Sequence, residues 1–233
     1  MRQILVLGGT HGNEMLGIQL VQLLKERPIK GVTAMIANPC AVEQNRRYTE
    51  SDLNRSFGNL YPGTYETSRA AELRQIISNY DVVLDLHNTM TPDNDSSFVG
   101  PDCNNDLYDV SAQLGLLNCI EATYDCVNKF CPNTLSIEAS LNGKLDNAIY
   151  WYNKIALLAN GKLPKKGKIE RYQYYGRITW DEVENIQTTW RPFVRITQKD
   201  RNAIGVEAVV YPIFIGSRLT EYYATLITKQ EGR

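Results

Sequence analysis

Apolar positions along this chain follow two rhythms. Residues 3–8 ("QILVLG"), 32–38 ("VTAMIAN"), 81–88 ("DVVLDLHN"), 116–122 ("LLNCIEA") and 134–140 ("TLSIEAS") are short apolar runs of the kind that form buried strands. Residues 13–27 carry Leu16, Leu20, Leu23 and Leu24 at helical spacing and stop before Pro28. Residues 64–80, 105–115 and 143–161 also read as helices, with Thr64 or Thr67 as a cap for the first of these and Gly161 ending the last. Strands alternating with helices predict an α/β fold, a mainly parallel central sheet covered by helices on both faces.

The pattern changes after Leu163. Residues 164–178 are basic and tyrosine-rich, residues 191–198 ("RPFVRITQ") and 204–216 are β-like, and residues 217–230 suit a closing helix or strand. A length of 233 residues fits one large domain with a small appendage. The expected division is residues 1–163 and a small β-rich C-terminal domain over 164–233.

Composition narrows the function classes. With 43% hydrophobic and 22% charged residues the chain is expected to fold as a soluble protein. A formal net charge of −1 offers no overall attraction to nucleic acid or to an anionic membrane, so neither is an expected partner. No apolar run approaches the roughly 20 residues of a spanning helix, and the opening "MRQILVLGG" is too short in its apolar core for a signal peptide. Five cysteines without C-x-x-C spacing suit reduced thiols in the cytoplasm. The oligomeric state stays open, a homo-oligomer being compatible with the sequence.

Candidate chemistry gathers at strand ends, where open α/β sheets bind ligands. The chain has only two histidines. His11 follows the first strand with Glu14 three residues on, His87 closes the third, and Glu138 closes "LSIE". His11, Glu14 and His87 are a His₂Glu set, three of the four positions around a catalytic zinc with one left for water. Gly8, Gly9 and Gly12 would let the backbone turn tightly beside an ion. A histidine at a strand end equally serves as a hydrogen-bonded structural residue. Gly-Gly-Thr also suits a phosphate turn, although G-x-G-x-x-G and a Walker lysine are absent. Asp85, two residues before His87, is expected on the opposite strand face and is read as structural or as a residue backing the site without touching the ion. Arg46, Arg47 and Arg55 concentrate charge beside Asn54 in a loop, either as a surface ion-pair cluster with Glu50 and Asp52 or as a carboxylate clamp.

"GGTHGNE", "NP", "RRY...DLNRSF", "DLHNT", "IE" and "VYPIF...YY" occur in that order, and the series resembles the aspartoacylase and succinylglutamate desuccinylase family of zinc amidohydrolases, nearest its aspartoacylase branch. The resemblance implies a zinc-carboxypeptidase-like catalytic domain and one zinc per chain held by His11, Glu14 and His87. It implies that Arg47 polarises the scissile carbonyl and that Glu138 is the general acid/base. It assigns Asn54 and Arg55 to a substrate carboxylate, Tyr124 and Tyr222 (or Tyr223) to the pocket, and Asn88 to shaping the site. The substrate it implies is a small acidic N-acyl amino acid such as N-acetylaspartate. Two departures stand out. Asn128, followed by Lys129, occupies the place of the family's substrate-binding arginine, and "ASLNG" replaces a Gly-Pro turn after Glu138. A carboxypeptidase-like peptidase and a non-catalytic metal-binding relative are the competing readings.

Overall fold

The computed structural model describes residues 2–59, 63–164, 167–184, 186, 189–216 and 221–231. Its strands are β1 (Ile4–Gly8), β2 (Val32–Ile36), β3 (Val82–Thr89), β4 (Ser96–Val99), β5 (Asn118–Glu121), β6 (Thr134–Ser140), β7 (Glu170–Thr179), β8 (Tyr211–Ile213) and β9 (Tyr222–Lys229). The helices are α1 (Met15–Glu26), α2 (Pro39–Glu43), α3 (Leu53–Ser56), α4 (Tyr65–Ile77), α5 (Asp106–Leu114), α6 (Val127–Phe130), α7 (Ala148–Ala159), α8 (Trp180–Val183) and α9 (Gln198–Ala203). Among the described residues the strands form one sheet in the order β2-β1-β3-β6-β4-β5-β7-β9-β8. Pairing is parallel from β2 through β6, antiparallel between β6 and β4, parallel through β5 to β7, and antiparallel among β7, β9 and β8.

Side-chain alternation explains why the central strands read as unbroken apolar runs. In β1, Ile4 and Val6 pack with Leu16, Leu20 and Leu24 of α1 and with Trp151, Ile155 and Leu158 of α7. Leu5 and Leu7 point the other way, onto Phe57 and onto Leu73 and Ile77 of α4. With both faces covered, each fully buried Leu or Ile contributes about 1.5–3 kcal/mol of transfer free energy. In β3, Val82, Leu84 and Leu86 enter the α1/α7 layer, while Val83 enters the α4 layer. In β6, Leu135, Ile137 and Ala139 take the α1/α7 side. The intervening residues of β3 and β6 therefore share the α4 side, and these include Asp85, His87, Ser136 and Glu138.

The C-terminal stretch departs from its expected elements. Residues 191–198 are not a strand: Pro192 lacks an amide donor and Phe193 has φ +59°, which breaks a ladder. Only single bonds remain there, from the amides of Phe193 and Ile196 to the carbonyls of Pro212 and Val210. Within 204–216 only Tyr211–Ile213 pairs, and of the closing run Tyr222–Lys229 is a strand, residues 217–220 lying outside the described residues. The chain after Leu163 contributes β7, β9 and β8 to the same sheet and packs a local cluster of Ile178, Val183, Ile196, Val210, Ala224 and Leu226. No helix among the described residues is long and apolar enough to cross a membrane.

One buried carboxylate ties α4 to the loop carrying the arginines. The Thr64 hydroxyl caps α4 by accepting from the Thr67 amide, and the Thr67 hydroxyl accepts from the Thr64 amide in return. In the first turn Glu66 is fully buried. Its Oε1 accepts from the Thr49 amide (2.7 Å) and hydroxyl (2.6 Å), and its Oε2 from the amides of Glu50 and Ser51 (3.2 Å each). Burial pushes the Glu66 pKa up, but the donors from Thr49, Ser51 and Asn38 outweigh it and hold the carboxyl below its ordinary 4.5. Its stabilisation is thus present above the unfolded-state pKa and lost as pH falls through the lowered folded value. Glu66→Gln, which sets an amide NH₂ against backbone donors, is expected to cost about 1–3 kcal/mol of unfolding free energy at neutral pH. Denaturant titrations should show the gap to wild type closing below pH 4.5; a gap constant down to acid pH would refute the assignment.

Candidate metal centre and active site

The site is built where β1 and β3 end side by side. Parallel pairing sets Gly8 level with Leu86, so the turn leaving β1 emerges beside His87. That turn needs its glycines. A Cβ on Gly8 would lie 2.1 Å from the Gly17 carbonyl oxygen, and one on Gly12 would lie 2.1 Å from the Ala41 carbonyl carbon. The close approach of Gly8 and Gly17 seats the start of α1 over the strand end, with Glu14 immediately before the helix. The Gly12 amide donates to the Arg47 carbonyl (3.2 Å), tying the arginine loop to the same turn.

Glu14 lies between the two imidazoles. Its Oε1 is 2.6 Å from His11 Nδ1 and its Oε2 is 2.9 Å from His87 Nδ1. One ligand atom from each of the three residues falls within 4.8 Å of the others. Both outer nitrogens meet carboxylates: His11 Nε2 is 3.2 Å from Asp52 Oδ1, and His87 Nε2 is 2.8 Å from Asp85 Oδ2. This outer pairing fixes each ring's orientation and presents Nδ1 inward, the arrangement in which carboxylate–histidine pairs hold a metal. Asp85 is anchored in turn by the Thr10 hydroxyl at 2.7 Å.

Asp85 corrects the sequence reading. Residues two apart in a strand share a face, so Asp85 sits beside His87 as its direct partner. Asp52 was read only as a surface ion-pair partner. It does pair with Arg47 at 3.1 Å, but it also orients His11 and caps α3 by accepting from the Asn54 amide at 2.9 Å. An aspartate just before a short helical pattern was the available signal.

The electrostatics are those of a cation site. Burial pushes the His87 pKa down, but Asp85 and Glu14 outweigh it and hold the imidazole well above 6.5. His11 is raised in the same way by Glu14 and Asp52 against its own burial. Glu14 is held far below the usual carboxylate range despite burial, chiefly by His11 and His87. Clustered carboxylates thus favour positive charge at the two rings, and a divalent ion with a preference for mixed N and O donors would supply it. By donor set and spacing, the three residues fit zinc.

The remaining candidates surround this cluster. Glu138 pairs in register with His87 across β3 and β6 and with Ser96 across β4. Burial, with Glu14 adding to it, pushes its carboxyl up to about 7 against the pull of His87, His11 and Arg47. The Arg47 guanidinium lies 3.6 Å from Glu14 Oε1 and is half exposed. Asn54 Oδ1 accepts from the Val127 amide (2.9 Å), and Arg55 donates to the Asp125 carbonyl (3.3 Å) with its guanidinium 4.8 Å from the Tyr124 ring centroid. The Asn88 amide donates to Glu14 Oε2 (3.2 Å), while its side chain accepts from the Leu16 amide and donates to Asp146. Asn88 therefore holds Glu14 and the start of α1 in place. Asn128 is buried and turned inward: its NH₂ donates to the carbonyls of Phe98 and Thr134 (3.0 Å each), and its Oδ1 accepts from Ser136 (3.0 Å). Tyr222 and Tyr124 are linked by Arg177, a residue the sequence reading did not single out, whose guanidinium is 4.7 and 5.9 Å from their ring centroids. A cavity of about 640 Å³ lined by Arg2, Asp81, Asp106 and Asn133 opens at the opposite, amino-terminal edge of the strands and has no part in this cluster.

Known proteins resemble this chain in sequence and in fold. Human N-acyl-aromatic-L-amino acid amidohydrolase (carboxylate-forming) is 37% identical over 108 residues, 38% of this chain and 34% of that protein. Zebrafish (Danio rerio) aspartoacylase is 40% identical over 107 residues, again 38% of this chain and 34% of that protein. The matched stretch thus spans about a third of the length of these relatives. The crystal structure of succinylglutamate desuccinylase from Chromobacterium violaceum superposes with a TM-score of 0.73 at 17% identity, covering 98% of this chain and 84% of that one, and shows the same fold. The model of the succinylglutamate desuccinylase/aspartoacylase catalytic domain matches residues 1–140, more than half of the 233-residue chain, and the protein belongs to that family.

Proposed function

We propose that this protein is a zinc-dependent amidohydrolase that cleaves the amide of a small, acidic N-acyl amino acid, releasing a carboxylate and a free amino acid. The observation that carries the reading is the pair of imidazoles converging on Glu14, each backed by its own carboxylate, with Glu138 on the neighbouring strand. His11, Glu14 and His87 would hold the ion. Bound zinc supplies Lewis acidity toward the scissile carbonyl and lowers the pKa of a water toward about 7.

The chain's own residues account for the rest. Glu138, its carboxyl held near 7, takes a proton from the attacking water and delivers it to the departing nitrogen as the C–N bond breaks. Arg47 faces the carbonyl oxygen and stabilises the charge that develops there, a role worth about 2.7–4 kcal/mol for one such donor. Arg55, with Asn54 beside it, takes the amino acid's carboxylate in a guanidinium fork. Relatives named as an aspartoacylase and as an amidohydrolase of N-acyl-aromatic amino acids support the reaction class. Five free cysteines suit a reducing, cytoplasmic setting.

Two measurements test the reading. Zinc must displace protons from His11 and His87, so its affinity is expected to fall as pH is lowered, with proton release on loading. Calorimetry in buffers of different ionisation enthalpy would detect the release, and His87→Ala should lose stoichiometric zinc; unchanged zinc content in that variant would sink the site. Separately, Glu138→Gln should lower kcat by about 10²–10⁴-fold with KM nearly unchanged. Full activity in that variant, assayed on a panel of N-acetyl, N-formyl and N-succinyl amino acids, would exclude Glu138 as the proton carrier.

A further inference from the structure

Glu14 stands at the N-cap position of α1, and that position competes for its carboxylate. The first amides of a helix have no intrahelical acceptor, and a side-chain oxygen at the N-cap ordinarily accepts from one of them. Among the described residues no such bond joins the Glu14 side chain to its own helix, and both of its oxygens face imidazoles. The Leu16 amide instead donates to Asn88 Oδ1 at 3.0 Å, an acceptor brought over from β3. Asn88 thus caps α1 in place of Glu14, and its backbone amide donates to Glu14 Oε2 at 3.2 Å.

An asparagine side chain can do this only one way round, with its oxygen toward Leu16 and its NH₂ turned away. Asp146 fixes that orientation. Its Oδ1 accepts from Asn88 Nδ2 at 3.0 Å, and an ionised carboxylate can only accept. Asp146 is itself held by the turn that follows β6 and Glu138: its Oδ2 accepts from the Asn142 amide at 2.8 Å, and its own amide donates to the Gly143 carbonyl at 3.1 Å. Next to it, Asn147 caps α7 by accepting from the Tyr150 amide at 2.9 Å. We propose that Asp146 is a positioning residue of the metal centre, orienting the Asn88 amide so that Asn88 rather than Glu14 caps α1 and both Glu14 oxygens stay turned toward the imidazoles. This rests on the metal-site reading above. Without Asp146 the Asn88 side chain can turn over and set its NH₂ against the Leu16 amide, which then competes with the imidazoles for the Glu14 carboxylate.

The test exchanges the two partners. Asp146→Asn leaves one donor too many among the Leu16 amide, the two side chains and the Asn142 amide, and Asn88→Asp sets two carboxylates face to face. Each is expected to weaken zinc binding about 10–100-fold, the usual effect of removing a group that orients a metal ligand. Asn88→Asp combined with Asp146→Asn reverses the polarity of the contact and keeps all three bonds, so it should bring zinc affinity back to within about 3-fold of wild type. Competition with a chromophoric chelator reads the affinity, and thermal unfolding of the same samples reads folding. Cobalt(II) loaded in place of zinc should give an altered visible spectrum in the single variants and the wild-type spectrum in the combined one; a merely structural role would lower stability and leave the spectrum unchanged. Should a single variant fail to fold, the combined exchange still decides: recovered zinc binding supports the pairing and its absence refutes it. Unchanged zinc affinity in folded single variants, an unaltered cobalt spectrum, or a combined exchange no better than either single change would overturn the role of Asp146 while leaving the hydrolase reading standing. Failure of the wild-type protein to bind zinc would overturn both.

Discussion

The whole site hangs on one carboxylate shared between two buried imidazoles. Glu14 gives one oxygen to His11 and the other to His87, and all three side chains are largely withdrawn from water. A charge so placed is tolerated only where opposite charge and hydrogen bonds surround it. The chain meets that condition by bringing together segments more than 70 residues apart, and it can do so because β1 and β3 are parallel neighbours in fixed register. If that pairing slipped by one residue, β3 would turn His87 into the α1/α7 layer and Glu14 would lose half its partners. The packing of Ile4, Val6, Leu84 and Leu86 against α1 is what forbids the slip. Core packing and site geometry are here a single constraint.

Around that carboxylate runs a continuous polar network: Thr10 to Asp85, Asp85 to His87, His87 to Glu14, Glu14 to His11, His11 to Asp52, and Asp52 to Arg47. In a low-dielectric interior such bonds strengthen one another, and each unpaired member would be costly. The network also decides which nitrogens face inward. Asp85 and Asp52 occupy both Nε2 atoms, which leaves the two Nδ1 atoms and Glu14 as the converging donors. Glu138 stands just outside this chain of bonds. Its carboxyl rises toward neutrality for the same reason that Glu14 falls: burial dominates where compensation by cations is weaker.

What the sequence revealed and what it hid follow from the range of the interactions. β1, α1, β3, α4 and α7 were legible because each is written in a local period that the packing merely uses. His11, Glu14 and His87 were legible because strand ends and a glycine turn are local too. Strand β4 was not expected, since "SSFV" has little local signal and exists as a strand through its antiparallel pairing with β6. Residues 191–198 showed a β-like composition but carry a proline and a left-handed phenylalanine that prevent pairing. Asp52 looked like one more acid in a charged loop because its bond to His11 spans 41 residues. Arg177 was one charge in a basic, tyrosine-rich stretch, since its place is set by tyrosines at positions 124 and 222.

The exchange of Asn128 for an arginine shows why position in sequence and position in space must be weighed separately. Asparagine instead closes the gap between β4, β6 and the Ser136 hydroxyl with its own amide, and Ser136 in turn lies 3.3 Å from Asp85. The core under the imidazoles is thereby knitted together without a charge in it, sparing the desolvation of a guanidinium. Positive charge beside Tyr124 comes from other segments of the chain, Arg55 and Arg177. The parallel pairing of β5 with β7 supplies the route, carrying the strand that bears Arg177 alongside the segment that leads into Tyr124. A C-terminal strand placed this way belongs to the sheet and also brings Arg177 to the rings of Tyr124 and Tyr222 beside the candidate site.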